Sequence, residues 1–516
     1  MASGGLARRD YLAGASIAIA LLALYTANGT IVTTHDATSN TFLAANVVQE
    51  GRLWFSPSRD PQLFLWHLPG PGSRGEALHL TSLDPEARRR YALGELVAEP
   101  IYAVAPSVRT DPRTGEPLYV STYGVGAGLA AVPLLAWARI FVPDLRKNPE
   151  WLWYGAKFAA SLFTAASAAF VFWACRRWLA LGPSLVLALA YGLGTCNWSM
   201  SSQTLWQHGS NSFFLALGTW ILARAPEGLD RVRSGACGFA FAAATACRPT
   251  SLVYLVAVAA YLLVAERRAL AAYVAGAVPI LAAIASYQWY YLGSPLRSAQ
   301  EETATWGGSF LEGLAGLLVS PSRGLFVFSP FFVFSLFGAV AAWRDRRYAV
   351  LRPLTLAVAA LLAVHAKWSV WWGGDCYGYR VIADVAPALV LFLVPVASWV
   401  MERRALAGLF LAACGWAILL QGLGAWAYDV EWNEPLSYVV VSPAGSVSLT
   451  SPEEARALAK ATGATKVYTE ECSLASRCHG RLWSITESQP VFYFTHFWEA
   501  RRALVEQTES MIAWWR

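Results

Sequence analysis

Charge is what this chain has least of. Asp, Glu, Lys and Arg make up 14% of its 516 residues, against roughly 25% in an ordinary soluble domain. That is too little to cover a large soluble surface. The chain also lacks zinc-type Cys/His spacing, a phosphate-cradling glycine loop and a dinucleotide fingerprint, which argues against a zinc ribbon and against nucleotide binding. No internal repeat occurs. The net charge of +6 does not read as a nucleic-acid footprint, because the arginines sit in small clusters between apolar runs.

Hydrophobic residues are abundant instead, at 56% with 24 Trp. Uncharged stretches recur, each near the roughly 20 residues that a helix needs to cross hydrocarbon. The expected fold class is therefore an all-α polytopic membrane protein. Arg8-Arg9, Arg176-Arg177, Arg224 with Arg231 and Arg233, Arg267-Arg268, Arg344 with Arg346-Arg347, and Arg403-Arg404 mark loops that stay inside. Between neighbouring clusters there is room for two crossings. Expected spans are 11–34, 152–174, 183–202, 206–223, 234–247, 250–265, 269–291, 325–343, 353–366, 382–400 and 405–427. These 11 crossings put the N-terminus inside and the C-terminus outside. The first span is read as retained, since bulky Leu24 and Tyr25 follow Ala23 and no small-x-small cleavage site precedes the polar loop. The apolar stretch 118–142 is assigned a re-entrant or surface-lying helix, because a crossing there would turn every later arginine cluster outward.

Residues 1–427 then form the membrane unit, with 35–150 as its first outer loop. In "NTFLAANVVQEGRLWF", Phe42, Leu43, Val47 and Leu53 suit one apolar face of a helix lying on the membrane. Residues 428–516 read as a small α+β outer domain: a strand at "LSYVVVS", a helix from Ser451-Pro452 with Glu454 at capping-box spacing, and a strand at "TKVYTEE". Cys472 and Cys478 lie outside, where oxidation is permitted, and are candidates for a disulfide. Cys175, Cys196, Cys237, Cys247 and Cys414 fall in or beside spans and read as packing residues.

Ionisable groups at membrane depth are costly and mark a partner or a wet cavity. Five outward places stand out. Asp36, beside His35, follows directly on the first apolar run; its plain alternative is a helix cap. Gln203, Gln207 and His208 lie at i, i+4 and i+5, suited either to pairing within the bundle or to a ligand. Arg248-Pro249 forms the apex of two short spans, so Arg248 needs an anion, from a carboxylate or a ligand phosphate. Arg323 stands among turn residues before an apolar span, where an interfacial arginine would also sit. In "HAKWSVWWGGDCYGYR", His365, Lys367, Asp375 and Arg380 stand among Trp368, Trp371, Trp372 and two tyrosines. Such aromatics belong to any membrane interface, but Gly373-Gly374 allows a close backbone approach, and the mixture suits a sugar ring and its phosphate. Lys157, near the outer end of the second span, adds a further cation.

In order along the chain, "STYGVGAGLAAVPL", "SSQTLWQHGSN", "SPSRGLFVFSP", "WWGGDCYGYRVIADVAP" and "QGLGAWAYDVEWN" resemble blocks of the bacterial polytopic glycosyltransferases of the C superfamily (GT-C). The similarity is to a branch related to the protein-mannosyltransferase and aminoarabinose-transferase groups, and it runs from about 33 to 433. Tyr123-Gly124 replaces the usual Tyr-Pro, and Gly378-Tyr379-Arg380 the usual Gly-Pro-Arg. A second acid beside Asp36 is absent, its neighbours being His35 and Ala37, so neither a metal nor another cofactor is expected. The resemblance implies transfer of a sugar from a polyprenyl-phosphate donor to an extracytoplasmic acceptor, at the outer face of a bacterial plasma membrane. Asp36 would be the general base, with His35 orienting it. Arg380, Arg323, Arg248, Lys367 and Lys157 would hold the lipid phosphate. Gln203, Gln207, His208, Trp372, Asp375 and Tyr123 would contact sugar or acceptor. A flippase for a lipid-linked sugar and a ligase using a diphosphate-linked donor are the alternatives. A flippase should carry polar groups through to the inner side, where Ala, Leu, Val and Phe dominate.

Overall fold

The structure, a computed structural model, describes residues 6–32, 34–67, 94, 96–100, 103–224, 229–300, 305–433, 436–442, 445–449, 458, 460–462, 466–471, 474 and 478–515. It is mostly helical. Among the described residues, five helices are long and apolar enough to cross a membrane: Pro149–Cys175, Arg267–Leu292, Arg346–Lys367, Arg380–Met401 and Arg404–Ala427. Each falls on an expected span, and the chain is a multi-pass membrane protein. Shorter apolar helices, among them Leu181–Leu193, Pro249–Ala265 and Pro330–Arg344, fall on others. Arg176 Nε donates to Asp10 Oδ1 at 2.9 Å, joining two elements that begin and end in arginine clusters expected on one side.

Three expectations are corrected. The first span stops early: its helix is Arg8–Thr26, and Gly29 takes a left-handed φ of 68°. Beyond it the backbone is held by side chains. Lys157 Nζ donates to the Thr30 carbonyl and to Asn28 Oδ1, and Arg501 Nη2 donates to the Asn28 carbonyl at 2.7 Å. Second, the helix His35–Glu50 is not one-sided. Residues 36–46 are all buried, between the helices Gly126–Ala138 and Pro149–Cys175. Its polar face finds partners inside: Asn40 Nδ2 donates to the Leu205 carbonyl at 3.1 Å and Asn46 Nδ2 to Asp60 Oδ1 at 3.0 Å. Third, 118–142 is divided. Strand Pro117–Ser121 pairs antiparallel with Val104–Thr110, and a helix of 13 residues follows, Gly126–Ala138, well short of the roughly 20 residues a crossing needs.

In the C-terminal segment Leu436–Ser442 is the middle strand of an antiparallel sheet, flanked by Gly445–Leu449 and Lys466–Glu471. The expected helix from 451 lies outside the described residues apart from 458 and 460–462. Buried contacts bridge the 427/428 boundary. The helix Phe497–Trp515 packs on Arg404–Ala427 and Pro149–Cys175, and Thr508 Oγ1 accepts from the Ile31 amide at 3.1 Å. Cys175, Cys196, Cys237, Cys247, Cys376 and Cys414 are free and buried. Cys478 is disulfide-bonded; Cys472, its expected partner, lies outside the described residues.

Candidate functional site

A cavity of about 230 Å³ brings together four of the five outward places. Asp36, Gln207, His208, Arg248, His365, Trp368 and Arg380 line it, with Tyr123 and with Ser298, Gln300 and Trp306 from the segment between the helices Arg267–Leu292 and Phe310–Val319. Asp36 sits in the first turn of its helix, where the helix dipole favours a negative charge. Arg380 Nη1 donates to Asp36 Oδ2 at 2.9 Å, and Arg380 Nη2 donates to the Gly373 carbonyl at 3.0 Å. The guanidinium lies 4.9 Å over the Trp206 ring, and Trp206 Nε1 donates to Thr34 Oγ1 at 2.5 Å. The residue before the acidic helix thus fixes the ring that carries the arginine. Burial pushes the Asp36 carboxyl upward, but Arg380 and backbone hydrogen bonding outweigh it and hold the group below its ordinary value. Tyr123 is pushed above the usual phenol range, first by the Asp36 charge and then by burial.

Local geometry explains these positions. Gly373 has φ 81°, a region that L side chains rarely adopt. A Cβ there would lie 2.2 Å from Val381 Cγ2, so glycine lets this carbonyl meet Arg380. At Gly126 a Cβ would come within 2.4 Å of the Ala246 backbone. That close approach seats the Tyr123 turn against the end of the helix Arg231–Cys247. The helix stops there because Pro249 disfavours helical backbone at the preceding residue, and Arg248 is extended with φ −147°.

Arg248 finds the carboxylate the sequence left open, and it is Asp384. Arg248 Nη1 donates to Asp384 Oδ2 and lies 3.3 Å from His208 Nδ1, while Nη2 lies 3.1 Å from His365 Nε2. His365 Nδ1 stands 2.9 Å from the Leu361 carbonyl. That arrangement places the ring proton on Nδ1 and leaves Nε2 to accept from Arg248. His208 Nδ1 is 3.4 Å from Asp384 Oδ1, and the Tyr254 hydroxyl donates to the Asp384 carbonyl at 3.1 Å. Each cavity guanidinium therefore has a carboxylate beside it.

Other expected site residues lie elsewhere. Arg323 is 1% exposed and fully engaged. It donates to the carbonyls of Trp372 at 3.0 Å and Ser322 at 3.2 Å, to Gln489 Oε1 at 2.5 Å and to Asn433 Oδ1 at 2.7 Å. It ties the C-terminal segment to the loop before Arg380 and does not line the cavity. Lys157 and Gln203 form a separate buried knot, Lys157 Nζ donating to Gln203 Oε1 at 3.2 Å and Gln203 Nε2 to the Trp198 carbonyl at 2.7 Å. The i, i+4 spacing does not keep Gln203 with Gln207, because a π-helical turn, Asn197–Ser201, precedes it and a new helix starts at Gln207. Lys367 donates to the exposed Gly308 carbonyl at 3.0 Å. Trp372 packs edge-on against Trp371 and His479. Asp375 is half-buried, its charge felt by Tyr428. None of these lines the cavity. The side chain of His35 lies outside the described residues. Among the described residues no three His, Cys, Asp or Glu side chains are placed to hold a metal ion.

Asp384, Trp206 and Thr250 were not singled out from sequence. An acid inside the apolar run after Arg380 was the available signal for Asp384. Trp206 is one tryptophan among 24, and nothing in its spacing separates it from the rest.

No protein-family model and no curated protein matches the chain. Among solved structures, it is similar to ArnT from Cupriavidus metallidurans bound to undecaprenyl phosphate, at 11% identity and a TM-score of 0.47, covering 97% of this chain and 77% of that one. It is also similar to the Archaeoglobus fulgidus oligosaccharyltransferase tethered with an acceptor peptide. There the identity is 12% and the TM-score 0.46, and the match covers 80% of this chain and 55% of that one. The chain thus spans about half the length of the archaeal enzyme.

Proposed function

We propose that the chain is an inverting glycosyltransferase, moving a sugar from a polyprenyl-phosphate donor to an acceptor hydroxyl on a glycan, lipid or protein outside the membrane. The observation that carries this reading is the Asp36–Arg380 pair, at 2.9 Å, opening onto one cavity with Arg248 and His208. Asp36 accepts the proton of the acceptor hydroxyl, and the hydroxyl oxygen attacks the anomeric carbon. The bond from that carbon to the phosphate oxygen breaks, and the lipid phosphate departs with the electron pair from the opposite face. A placed carboxylate base is worth roughly 10²–10⁴ in rate, and cations aimed at the leaving phosphate add a large electrostatic contribution.

The ion pair gives Asp36 a second property. While Arg380 holds it, the carboxylate is a weak base. A donor phosphate competes for the same guanidinium, so Asp36 gains basicity when a donor is bound. Asp36 opens the helix His35–Glu50, which a short non-helical stretch joins to the first apolar helix Arg8–Thr26, where a reactive carbon tethered to the bilayer by its phosphate comes within reach. The site then faces the extracytoplasmic side of a bacterial plasma membrane, the side opposite the arginine clusters.

Labelled sugar transfer from a panel of synthetic polyprenyl-phosphate sugars and their diphosphate-linked counterparts, with native membrane extract as acceptor source and donor binding measured in parallel, tests this reading. Transfer from at least one monophosphate-linked donor supports it. Binding without transfer across the panel moves the flippase reading ahead, and transfer only from diphosphate-linked donors favours the ligase.

A further inference from the structure

Four residues of the cavity wall carry a buried polar atom with no hydrogen-bond partner among the described residues: Gln207 Oε1, Thr250 Oγ1, Trp368 Nε1 and Arg380 Nε. Buried polar atoms are nearly always paired in folded proteins, so four around one cavity call for a ligand that pairs them. Their chemistry sorts the ligand. A guanidinium N–H donates with full positive charge and suits a phosphate oxygen. The other three are neutral: an amide oxygen that only accepts, an indole N–H that only donates, and a hydroxyl that does both. A sugar hydroxyl, both donor and acceptor, matches all three.

These atoms stand on fixed elements. Gln207 is the first residue of the helix Gln207–Ala223. Thr250 lies in the turn Pro249–Ser251, pinned where the Ser251 hydroxyl donates to Asn211 Oδ1 at 2.9 Å. Trp368 caps the end of the helix Arg352–Lys367. Charge adds a second restriction. Arg248 is paired with Asp384, and Asp36, paired with Arg380 until a donor phosphate draws that guanidinium away, is then committed to the acceptor hydroxyl, so among the described residues the wall keeps no spare carboxylate for an ammonium group. A carboxylate on the ring would compete with the phosphate for Arg380.

Resting on the transferase reading above, we infer that Gln207, Thr250 and Trp368 form the face that reads the donor's sugar, and that this sugar is an uncharged, hydroxyl-bearing ring. Sugar recognition thereby moves from Gln203 and Trp372, which lie outside the cavity, to Thr250 and Trp368 within it. A site built to bond a hydroxyl discriminates strongly against analogues that leave its buried groups unpaired.

The test is binding of synthetic polyprenyl-phosphate donors that bear a neutral hexose, an amino sugar or a uronic acid, with bare undecaprenyl phosphate as reference. Wild type, Thr250→Val and Trp368→Phe are compared, the first keeping shape and the second keeping an aromatic ring while each removes the hydrogen-bonding atom. A neutral hexose donor should bind best. Each variant should weaken it about tenfold and leave the bare lipid phosphate unchanged. Removal of one ring hydroxyl should abolish the effect of Trp368→Phe, since the two changes delete the same bond. Charged-sugar donors binding as tightly as neutral ones, or variants that bind neutral donors like wild type, would overturn the inference, as would equal weakening of the bare phosphate. Selective binding of neutral donors with no transfer from any would sink the transferase reading alone, whereas no binding by any donor would sink both.

Discussion

Arg323 and Arg380 both stack on a tryptophan, Trp432 at 5.0 Å and Trp206 at 4.9 Å, and both donate to carbonyls of the same glycine-turned loop. Arg323 bonds the Trp372 carbonyl and Arg380 the Gly373 carbonyl. They differ in what is left over. Arg323 spends its guanidinium on neutral protein acceptors and lies out of reach of the cavity. Arg380 meets a carboxylate, faces the cavity, and keeps one N–H unpaired. A buried arginine whose donors are all satisfied holds a fold together; one with a donor unspent beside a cavity has capacity for a ligand.

Substituting each arginine by lysine sharpens the comparison most. Arg323→Lys strands at least two buried acceptors at about 1–3 kcal/mol each, so the melting midpoint should fall steeply. Arg380→Lys keeps a cation beside Asp36 and strands only the Gly373 carbonyl, so its melting midpoint should fall clearly less. Its transfer should drop roughly 10²–10³-fold, as when one electrostatic donor is lost from a reaction site. Equal effects of the two variants on melting would erase the distinction.

Gly373→Ala probes the loop that serves both. A left-handed φ and a Cβ 2.2 Å from Val381 Cγ2 imply about 1–3 kcal/mol of strain. Transfer should suffer beyond that, because the carbonyl bonded to Arg380 shifts. Relieving the clash with Val381→Ala in the double variant should recover only part of the loss, since the φ strain remains.

Asp429 offers a smaller effect, away from the cavity. Burial raises its carboxyl from 3.8 to about 6, although the Tyr493 hydroxyl donates to Oδ1 at 2.8 Å. A folded-state value above the unfolded one means that the native state binds the proton more tightly. Stability is then highest in acid and declines as pH rises from about 4 to about 6. Asp429→Asn should flatten the melting midpoint over that window, and an unchanged slope would show that other groups set it. The smallest effect is expected of Lys367→Gln, whose exposed ammonium meets only the Gly308 carbonyl. Melting should stay within about 0.5 kcal/mol of wild type, with transfer unchanged.

Much of this was legible in the order of residues. The arginine clusters and uncharged runs located the long helices, and four of the five outward places pointed at the cavity because ionisable groups near a membrane need a partner. The sequence does not say which partner. Arg248 and Arg323 read alike as cations seeking an anion, but one meets Asp384 and the other meets Gln489 and Asn433, residues 110 to 166 positions away. Gln203 and Gln207 look like one helical face, but the π-helical turn ends before Gln203 and a new helix starts only at Gln207, with non-helical backbone between them. The buried polar face of the helix His35–Glu50 looked amphipathic because periodicity reports which residues share a side, and says nothing of what covers the other side.

Single-turnover transfer by wild type and Asp36→Asn, with donor saturating and donor affinity measured for both, addresses the central claim most directly. The account predicts a rate about 10²–10⁴-fold lower in the variant, with donor affinity retained. Equal rates would remove Asp36 from the chemistry and leave its pair with Arg380 a structural bond.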